Sequence, residues 1–183
     1  MDKRLILEIL PGPAFILGDA IGGVFVGAGV SALATGLAIV LRWRWDRILP
    51  LMAISIFALT AVMLLLGLAF DDTTFVKVSA TIGSLIFAGI LVAGMWLRPS
   101  LLQRTLGYKI QMGHQGWQIL HGAWIALALA RGVANEAVWR LTSDQVWVIY
   151  NGLADFVWFG LIFGITYWIA WTFWDDTQDT ASL

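Results

Sequence analysis

Two apolar runs separated by a short polar turn determine the fold of this chain. Residues 48–70 read ILPLMAISIFALTAVMLLLGLAF, residues 71–74 read DDTT, and residues 75–97 read FVKVSATIGSLIFAGILVAGMWL. Each run has the roughly 20 apolar residues that a helix needs to cross a hydrocarbon core about 30 Å thick. The sequence therefore predicts two transmembrane helices joined by a tight turn.

Three further apolar runs extend the prediction to an all-α membrane protein of about five transmembrane helices. The predicted spans are 14–41, 48–70, 75–97, 117–134 and 146–174. Ahead of the first span, residues 5–10 are predicted to form a short interfacial or half-inserted helix, which the prolines at 11 and 13 end. We expect residues 1–174 to form a single transmembrane domain and the acidic residues 175–183 to form a disordered tail.

The composition agrees with a protein that has lipid as its solvent. The 183 residues are 60% hydrophobic and only 13% charged, whereas a soluble domain has about 25% charged residues. The mean hydropathy is +0.82. Lys and Arg occur in small groups between apolar runs, which argues against a nucleic-acid partner. The chain has no cysteine, so disulfides, thiolate metal ligands and a Cys nucleophile are excluded.

Basic and aromatic residues between the spans give the expected orientation. The Lys and Arg totals of the two faces barely differ, but residues 42–47 read RWRWDR and place three arginines directly between two spans. Such a cluster is typical of a cytoplasmic turn, so we expect the C-terminus inside and the N-terminus outside a bacterial inner membrane. Most tryptophans fall near span ends, Trp117 and Trp147 among them, and are predicted to be interface anchors.

Small residues recur at helical spacing in the first predicted span. They are Gly18, Gly22, Gly23 and Gly27. Glycines four residues apart let two helix backbones approach closely, and close packing is a main source of helix association in lipid. The glycines therefore predict either a partner-binding face or packing against the other helices of the same chain.

Four polar residues are predicted to lie at membrane depth: Asp19, His121, Asn151 and Asp155. Polar groups in lipid are costly unless they are paired or hydrated, so each of them is a candidate for function. Asp155 lies four residues after Asn151 and therefore on the same helical face. It is interpreted either as part of a proton or substrate path, or as a buried contact that fixes helix register by bonding His121 or Arg131.

A second polar group stands at the end of the fourth predicted span. It consists of Arg131, Asn135, Glu136 and Arg140. The pairs Arg131 with Asn135 and Glu136 with Arg140 are both at i, i+4 spacing, which lets side chains meet on one helix face. These residues are predicted either to cap the helix end at the membrane interface or to form a partner site.

Motifs for catalysis or for cofactor binding are absent from the sequence. There is no HExxH, no Walker-type glycine loop, no GxSxG and no paired acidic motif. His114, Gln118 and His121 share a helix face, but a metal site would need further ligands that the sequence does not place nearby. The sequence therefore predicts a protein that is not an enzyme and holds no cofactor or metal.

Several stretches run collinearly over most of the chain: Leu7–Pro13, Phe70–Lys77, Phe87–Leu91, Gln103–Gly107, Gly116–Trp117, Ala130–Arg140 and Trp147–Val148. They include an Asp-rich turn followed by a Phe-hydrophobic-Lys step, and an Ala-Asn-Glu-x-Val-Trp-Arg run. Together they resemble the intracellular septation protein A family of inner-membrane proteins, and the Ala-Asn-Glu-x-Val-Trp-Arg run is the most specific match. The resemblance implies a five-span inner-membrane protein that supports septation and envelope integrity by contacting division and elongation machinery.

Two departures from the family pattern indicate a divergent paralogue. Residues 78–81 read VSAT where the family typically has a Lys-Pro-Thr element, and residues 147–151 read WVIYN where it has Trp-Val-Asn-Phe-Lys.

Three functional hypotheses follow from the sequence. The first is a scaffold of the division and envelope apparatus, with membrane lipids and other inner-membrane proteins as its partners. The second is a small accessory or assembly subunit of a larger respiratory or photosynthetic membrane complex. The third is a lipid or small-solute carrier that uses Asp19, Asp155 and the polar group between Arg131 and Arg140.

Overall fold

The computed structural model describes residues 10–46 and 51–174, and in these ranges the protein is built from α-helices. The helices are α1 Pro11–Asp46, α2 Leu51–Phe70, α3 Thr74–Met95, α4 Leu101–Leu106, α5 His114–Leu141 and α6 Asp144–Thr172. The prediction of an all-α membrane protein is confirmed. Residues 5–9 of the predicted interfacial helix and the whole predicted tail lie outside the described residues.

Three described helices are long and apolar enough to cross a membrane. They are Pro11–Trp45, Thr74–Met95 and Asp144–Thr172, and Phe57–Phe70 is a shorter apolar run. Helix α5 is long enough to cross, with 28 residues, but carries polar residues towards both ends. The polar residues near its start include His114 and His121, and those near its end include Asn135, Glu136 and Arg140.

Helix α1 reverses its direction at Gly22 and Gly23. Gly23 has φ 79° and ψ −176°, and Gly22 has φ −151° and ψ 20°, so neither is helical. The hydroxyl of Ser31 donates a hydrogen bond of 3.0 Å to the carbonyl oxygen of Pro11. In a straight helix these two residues would be about 30 Å apart, at 1.5 Å per residue. Residues 11–21 and 24–46 are therefore the antiparallel arms of a helical hairpin.

Glycines hold the two arms of the hairpin at close range. A Cβ atom placed on Gly18 would lie 2.8 Å from the Cα atom of Gly27, and one placed on Gly27 would lie 2.8 Å from the carbonyl oxygen of Phe15. Neither contact leaves room for a side chain. The glycine face noted in the sequence therefore packs inside the chain, arm against arm.

The hairpin corrects the prediction of one uninterrupted span over residues 14–41. At 1.5 Å per residue, the arm 11–21 is about 16 Å long, roughly half the thickness of a hydrocarbon core. The arm 24–46 is about 34 Å long and can cross the core by itself. The prediction failed because a hydropathy pattern records an apolar run without recording the direction of the chain.

The turn between α2 and α3 forms where the polar residues 71–74 predicted it. The carboxylate of Asp72 accepts a hydrogen bond of 2.8 Å from the backbone N–H of Thr74, the first residue of α3. This backbone hydrogen bond lowers the pKa of Asp72 below its ordinary value. The carboxylate thereby satisfies one of the free N–H groups at the start of α3.

The chain divides into two compact units. Unit 1 contains the described residues up to Gly83 together with Gly132–Val157, and unit 2 contains Ser84–Arg131 and the described residues from Trp158 onwards. The core of unit 1 is Phe15, Val24, Ala28, Val76, Trp147 and Val148. The core of unit 2 is Leu91, Leu102, Met112, Trp117, Leu120, Ile169 and Ala170.

Two tryptophans predicted to be interface anchors are core residues instead. Trp147 is 1% exposed in unit 1, and Trp117 is 3% exposed in unit 2. Both lie near helix starts, where an anchor is also expected, so position along the chain did not separate the two roles.

Replacing Gly23 with alanine should lower the free energy of unfolding by about 1–3 kcal/mol, because its φ and ψ values are almost restricted to glycine. The free energy can be measured by titrating purified protein in mixed micelles with a denaturing detergent. Gly29→Ala is the matched control, since a Cβ atom there meets nothing within 4 Å. Equal stability of the two variants would contradict the hairpin.

Candidate functional site

Polar side chains meet in unit 1 where the start of α3, the end of α5 and the start of α6 lie together. We call this group the polar hub. Its members are Lys77, Thr81, Asn135, Glu136, Arg140, Asp144 and Trp147. The hub joins residues that are far apart in the sequence, so it depends on the packing of three helices.

Asn135 is the centre of the polar hub and is 1% exposed. Its Nδ2 atom donates hydrogen bonds to the carbonyl oxygen of Lys77, at 2.8 Å, and to Oγ1 of Thr81, at 2.9 Å. Its Oδ1 atom accepts a hydrogen bond of 3.1 Å from the indole nitrogen of Trp147. Both amide hydrogens and the amide oxygen are thus engaged, and one side chain links α5 to α3 and α6.

An ion pair lies beside this amide. The ammonium group of Lys77 is 2.7 Å from Oδ1 of Asp144, and the side chain of Lys77 is 9% exposed whereas that of Asp144 is 62% exposed. The ammonium is also 6.0 Å from the ring centroid of Trp147, within the range of a cation–π contact. The buried member of the pair is therefore the cation, and Asp144 supplies its counter-charge.

Trp147 connects the polar hub to the shorter arm of the hairpin. The ring of Phe15 meets the Trp147 ring edge to face, with centroids 5.5 Å apart and an interplanar angle of 89°. One turn further along α6, a Cβ atom on Gly12 would collide with the backbone oxygen of Gly152. The indole thus bonds Asn135 through its nitrogen and packs against the hairpin through its ring.

Thr81 and Glu136 extend the polar hub towards the surface. The hydroxyl of Thr81 accepts a hydrogen bond from Asn135 and donates one of 2.7 Å to Oε1 of Glu136. Oε2 of Glu136 accepts a hydrogen bond of 2.7 Å from Nε of Arg140, whose guanidinium lies 4.3 Å from the ring centroid of Trp139. The result is a continuous chain of hydrogen bonds from a buried amide to an exposed arginine.

The contacts of the polar hub are those of a structural link between helices. Its ammonium, its amide and both of its carboxylates are engaged with protein groups. These contacts fix the register of α3, α5 and α6.

The structure gives the residues predicted from the sequence different surroundings. Asn135, Glu136 and Arg140 belong to the polar hub, whereas Arg131 belongs to unit 2. The Glu136–Arg140 pair forms as predicted, but Asn135 bonds α3 and α6 rather than its own helix.

The polar residues predicted at membrane depth have other degrees of burial. Asp19, Asn151 and Asp155 are half-buried in unit 1. His121 is 1% exposed in unit 2, where Nε2 accepts the backbone N–H of Leu102 at 3.4 Å and Nδ1 lies 3.3 Å from the carbonyl oxygen of Trp117. Both ring nitrogens of His121 thus face backbone groups.

Sequence reasoning missed the roles of Lys77, Thr81, Asp144 and Trp147. Lys77 carried a usable signal, because a lysine one turn inside an apolar run requires a partner. Thr81 and Asp144 carried none, since a threonine in a span and an aspartate in a turn are both ordinary.

Comparison with known proteins gives a family match over nearly the whole chain. The profile described as intracellular septation protein A matches residues 3–172. No solved structure matches the chain.

Curated relatives carry one name, inner membrane-spanning protein YciB. The relative from Mesorhizobium japonicum is 31% identical over 136 residues, which are 74% of this chain and 61% of the relative. The relative from Edwardsiella ictaluri is 31% identical over 159 residues, which are 86% of this chain and 85% of the relative. The chain thus spans about three fifths of the first relative and most of the second.

Replacing Asn135 with alanine should lower the free energy of unfolding by about 3 kcal/mol, because three hydrogen bonds are lost and buried partners stay unpaired. Arg140→Gln is the control, since it removes a largely exposed ion pair and the contact with the Trp139 ring, and it should cost about 1 kcal/mol. Both values can be measured by unfolding in mixed micelles. A loss for Asn135→Ala no larger than the control's would contradict a structural hub.

Replacing Asp144 with asparagine should destabilise the protein, because it leaves the buried ammonium of Lys77 without its counter-charge. Adding Lys77→Met removes that ammonium, so the double variant should recover about 1 kcal/mol or more relative to Asp144→Asn alone. A double-mutant cycle of unfolding free energies tests this. Additive losses would show that the two side chains act independently.

Proposed function

Because the chain belongs to the intracellular septation protein A family, we propose that it is an inner-membrane scaffold supporting cell division and envelope integrity. It is a multi-pass protein of the inner membrane, in line with its apolar helices and with the names of its relatives. Those names describe membrane-spanning proteins and not enzymes. In the proposed role the protein acts through contacts with other membrane proteins.

The observation that carries the proposal is that the residues shared with the family pattern bond one another in the polar hub. Phe75–Lys77, Ala130–Arg140 and Trp147 come from three separate stretches of the resemblance, and residues from all three bond one another in the polar hub. Residues that bond each other inside a protein maintain its shape. The most specific motif of the family therefore contributes to a fixed interior. In the proposed role, partners are contacted by the outer surfaces of the helices.

An exposed aromatic face on α6 is the surface we propose for such contacts. We call it the aromatic ridge, and its members are Phe159, Phe163, Tyr167 and Trp171. They follow at four-residue intervals and therefore share one helix face. Tyr167 and Trp171 stack with centroids 6.4 Å apart. Aromatic residues are enriched at the centres of protein interfaces, so the ridge suits a helix of a neighbouring membrane protein.

Site-specific photo-crosslinking in native membranes tests this proposal. A benzophenone amino acid at Phe163, which is 73% exposed, should capture division or cell-wall synthesis proteins identified by mass spectrometry. The same probe at Leu33, which is 76% exposed on the longer hairpin arm, is the matched control and should capture mainly lipid.

Three other outcomes have distinct meanings. Capture of respiratory or photosynthetic subunits at Phe163 would favour the accessory-subunit hypothesis. Equal capture of the same proteins at both positions would remove the special role of the aromatic ridge. Capture of no protein at either position would contradict the scaffold.

A further inference from the structure

Unit 2 contains a cavity of about 450 Å³ beside the connection between α3 and α5. Its volume falls in the range of small-molecule sites, about 300–1,000 Å³. The polar side chains that line it are those of Arg98, Ser100, Gln103, His114, Gln118 and His121. Its apolar lining comes from Met95, Leu97, Pro99 and Trp117. The cavity therefore combines a polar wall with an apolar one.

The charged residues in the connection between α3 and α5 are all of one sign. Arg98, Arg104 and Lys109 lie in the connection between α3 and α5, and the sequence from Thr73 to Asn135 contains no Asp or Glu. Arg104 donates hydrogen bonds to the carbonyl oxygens of Pro99 and Arg98, which holds the start of the connection in place. Arg98 itself lines the cavity. The cavity is thus lined by a cationic residue and suits an anion.

Ser100 supplies a polar group without a partner. Its hydroxyl oxygen is buried and has no hydrogen bond within the described part of the chain, although Ser100 stands directly before α4 and could have capped it. His121 differs, because both of its ring nitrogens already face backbone groups. An unpaired buried hydroxyl is costly, and Ser100 is one of the residues that line the cavity.

Aromatic side chains place the cavity at the level of lipid headgroups. Trp96 directly follows α3 and is 80% exposed, and Tyr108 in the same connection is 77% exposed. Exposed Trp and Tyr at the ends of apolar helices are typical of the membrane–water interface. A ligand in the cavity could therefore have one part in the headgroup layer and another against apolar side chains.

We propose that this cavity binds the phosphate group of an anionic amphiphile. The guanidinium of Arg98 would contact the phosphate oxygens, a pairing that is charge-assisted and often bidentate. The hydroxyl of Ser100 and the amide of Gln118 would donate further hydrogen bonds. Trp117 and Leu97 would pack against the glycerol carbons. A membrane phospholipid and a soluble glycerophosphate share this chemistry, and the test separates them.

The test is a lipid titration of the full chain in detergent micelles, followed by native mass spectrometry. Phosphatidylglycerol should bind the parent protein more tightly than zwitterionic phosphatidylcholine does. Arg98→Gln should weaken phosphatidylglycerol binding about tenfold, and Ser100→Ala should weaken it less. Lys109→Gln is the matched control, because it removes the same charge from the same connection at a residue outside the cavity lining and should leave binding unchanged.

Competition identifies the source of the phosphate. If millimolar glycerol 3-phosphate does not displace the lipid, the ligand is a membrane phospholipid. If it does, the cavity binds soluble phosphate esters as well, and the proposed chemistry still holds.

Two results would overturn the proposal. One is an equal loss of lipid binding in Arg98→Gln and Lys109→Gln, which would indicate attraction by surface charge in general. The other is no preference for phosphatidylglycerol in the parent protein. Unchanged thermal unfolding of each variant shows that binding, and not folding, has been altered. None of these outcomes depends on the scaffold proposal.

Discussion

The buried carboxamide of Asn135 is the constraint on which the helix arrangement of unit 1 depends. An amide in an apolar interior is destabilising unless its donors and its acceptor are all bonded. Here the partners are a backbone carbonyl and a hydroxyl of α3 and an indole of α6. A shift of any helix by one residue would turn its partner away by about 100°. Apolar contacts tolerate such shifts, so the amide specifies the register.

Sequence reasoning located those helix ends that are determined by nearby residues. The turn after Phe70 and the start of α3 near Thr74 lie within a residue of their predicted positions, because a polar stretch interrupts two apolar runs. The i, i+4 pair of Glu136 and Arg140 is similarly local. The hairpin at Gly22 and Gly23 could not be predicted in this way. The same glycine spacing suits close packing between two helices or between two arms of one.

The polar hub shows why long-range partners escape sequence reasoning. Trp147 looks like an interface anchor until its distance to Asn135 is known, and Asp144 looks like a turn residue until Lys77 is found beside it. The burial of the ion pair is unequal, at 9% for Lys77 and 62% for Asp144. Only the lysine lay inside a predicted span, so only that half of the pair carried a usable signal in the sequence.

The hub and the cavity differ in whether their polar groups find partners within the protein. In the hub, Lys77 meets Asp144 and Glu136 meets Arg140, so charge is neutralised within the protein. The connection around Arg98 has no carboxylate of its own, and a buried hydroxyl beside it has no partner in the described residues. Closed networks maintain structure because nothing remains to be bonded. A cavity lined by one arginine and several neutral polar residues, with no carboxylate among the described residues of its lining, suits an anion.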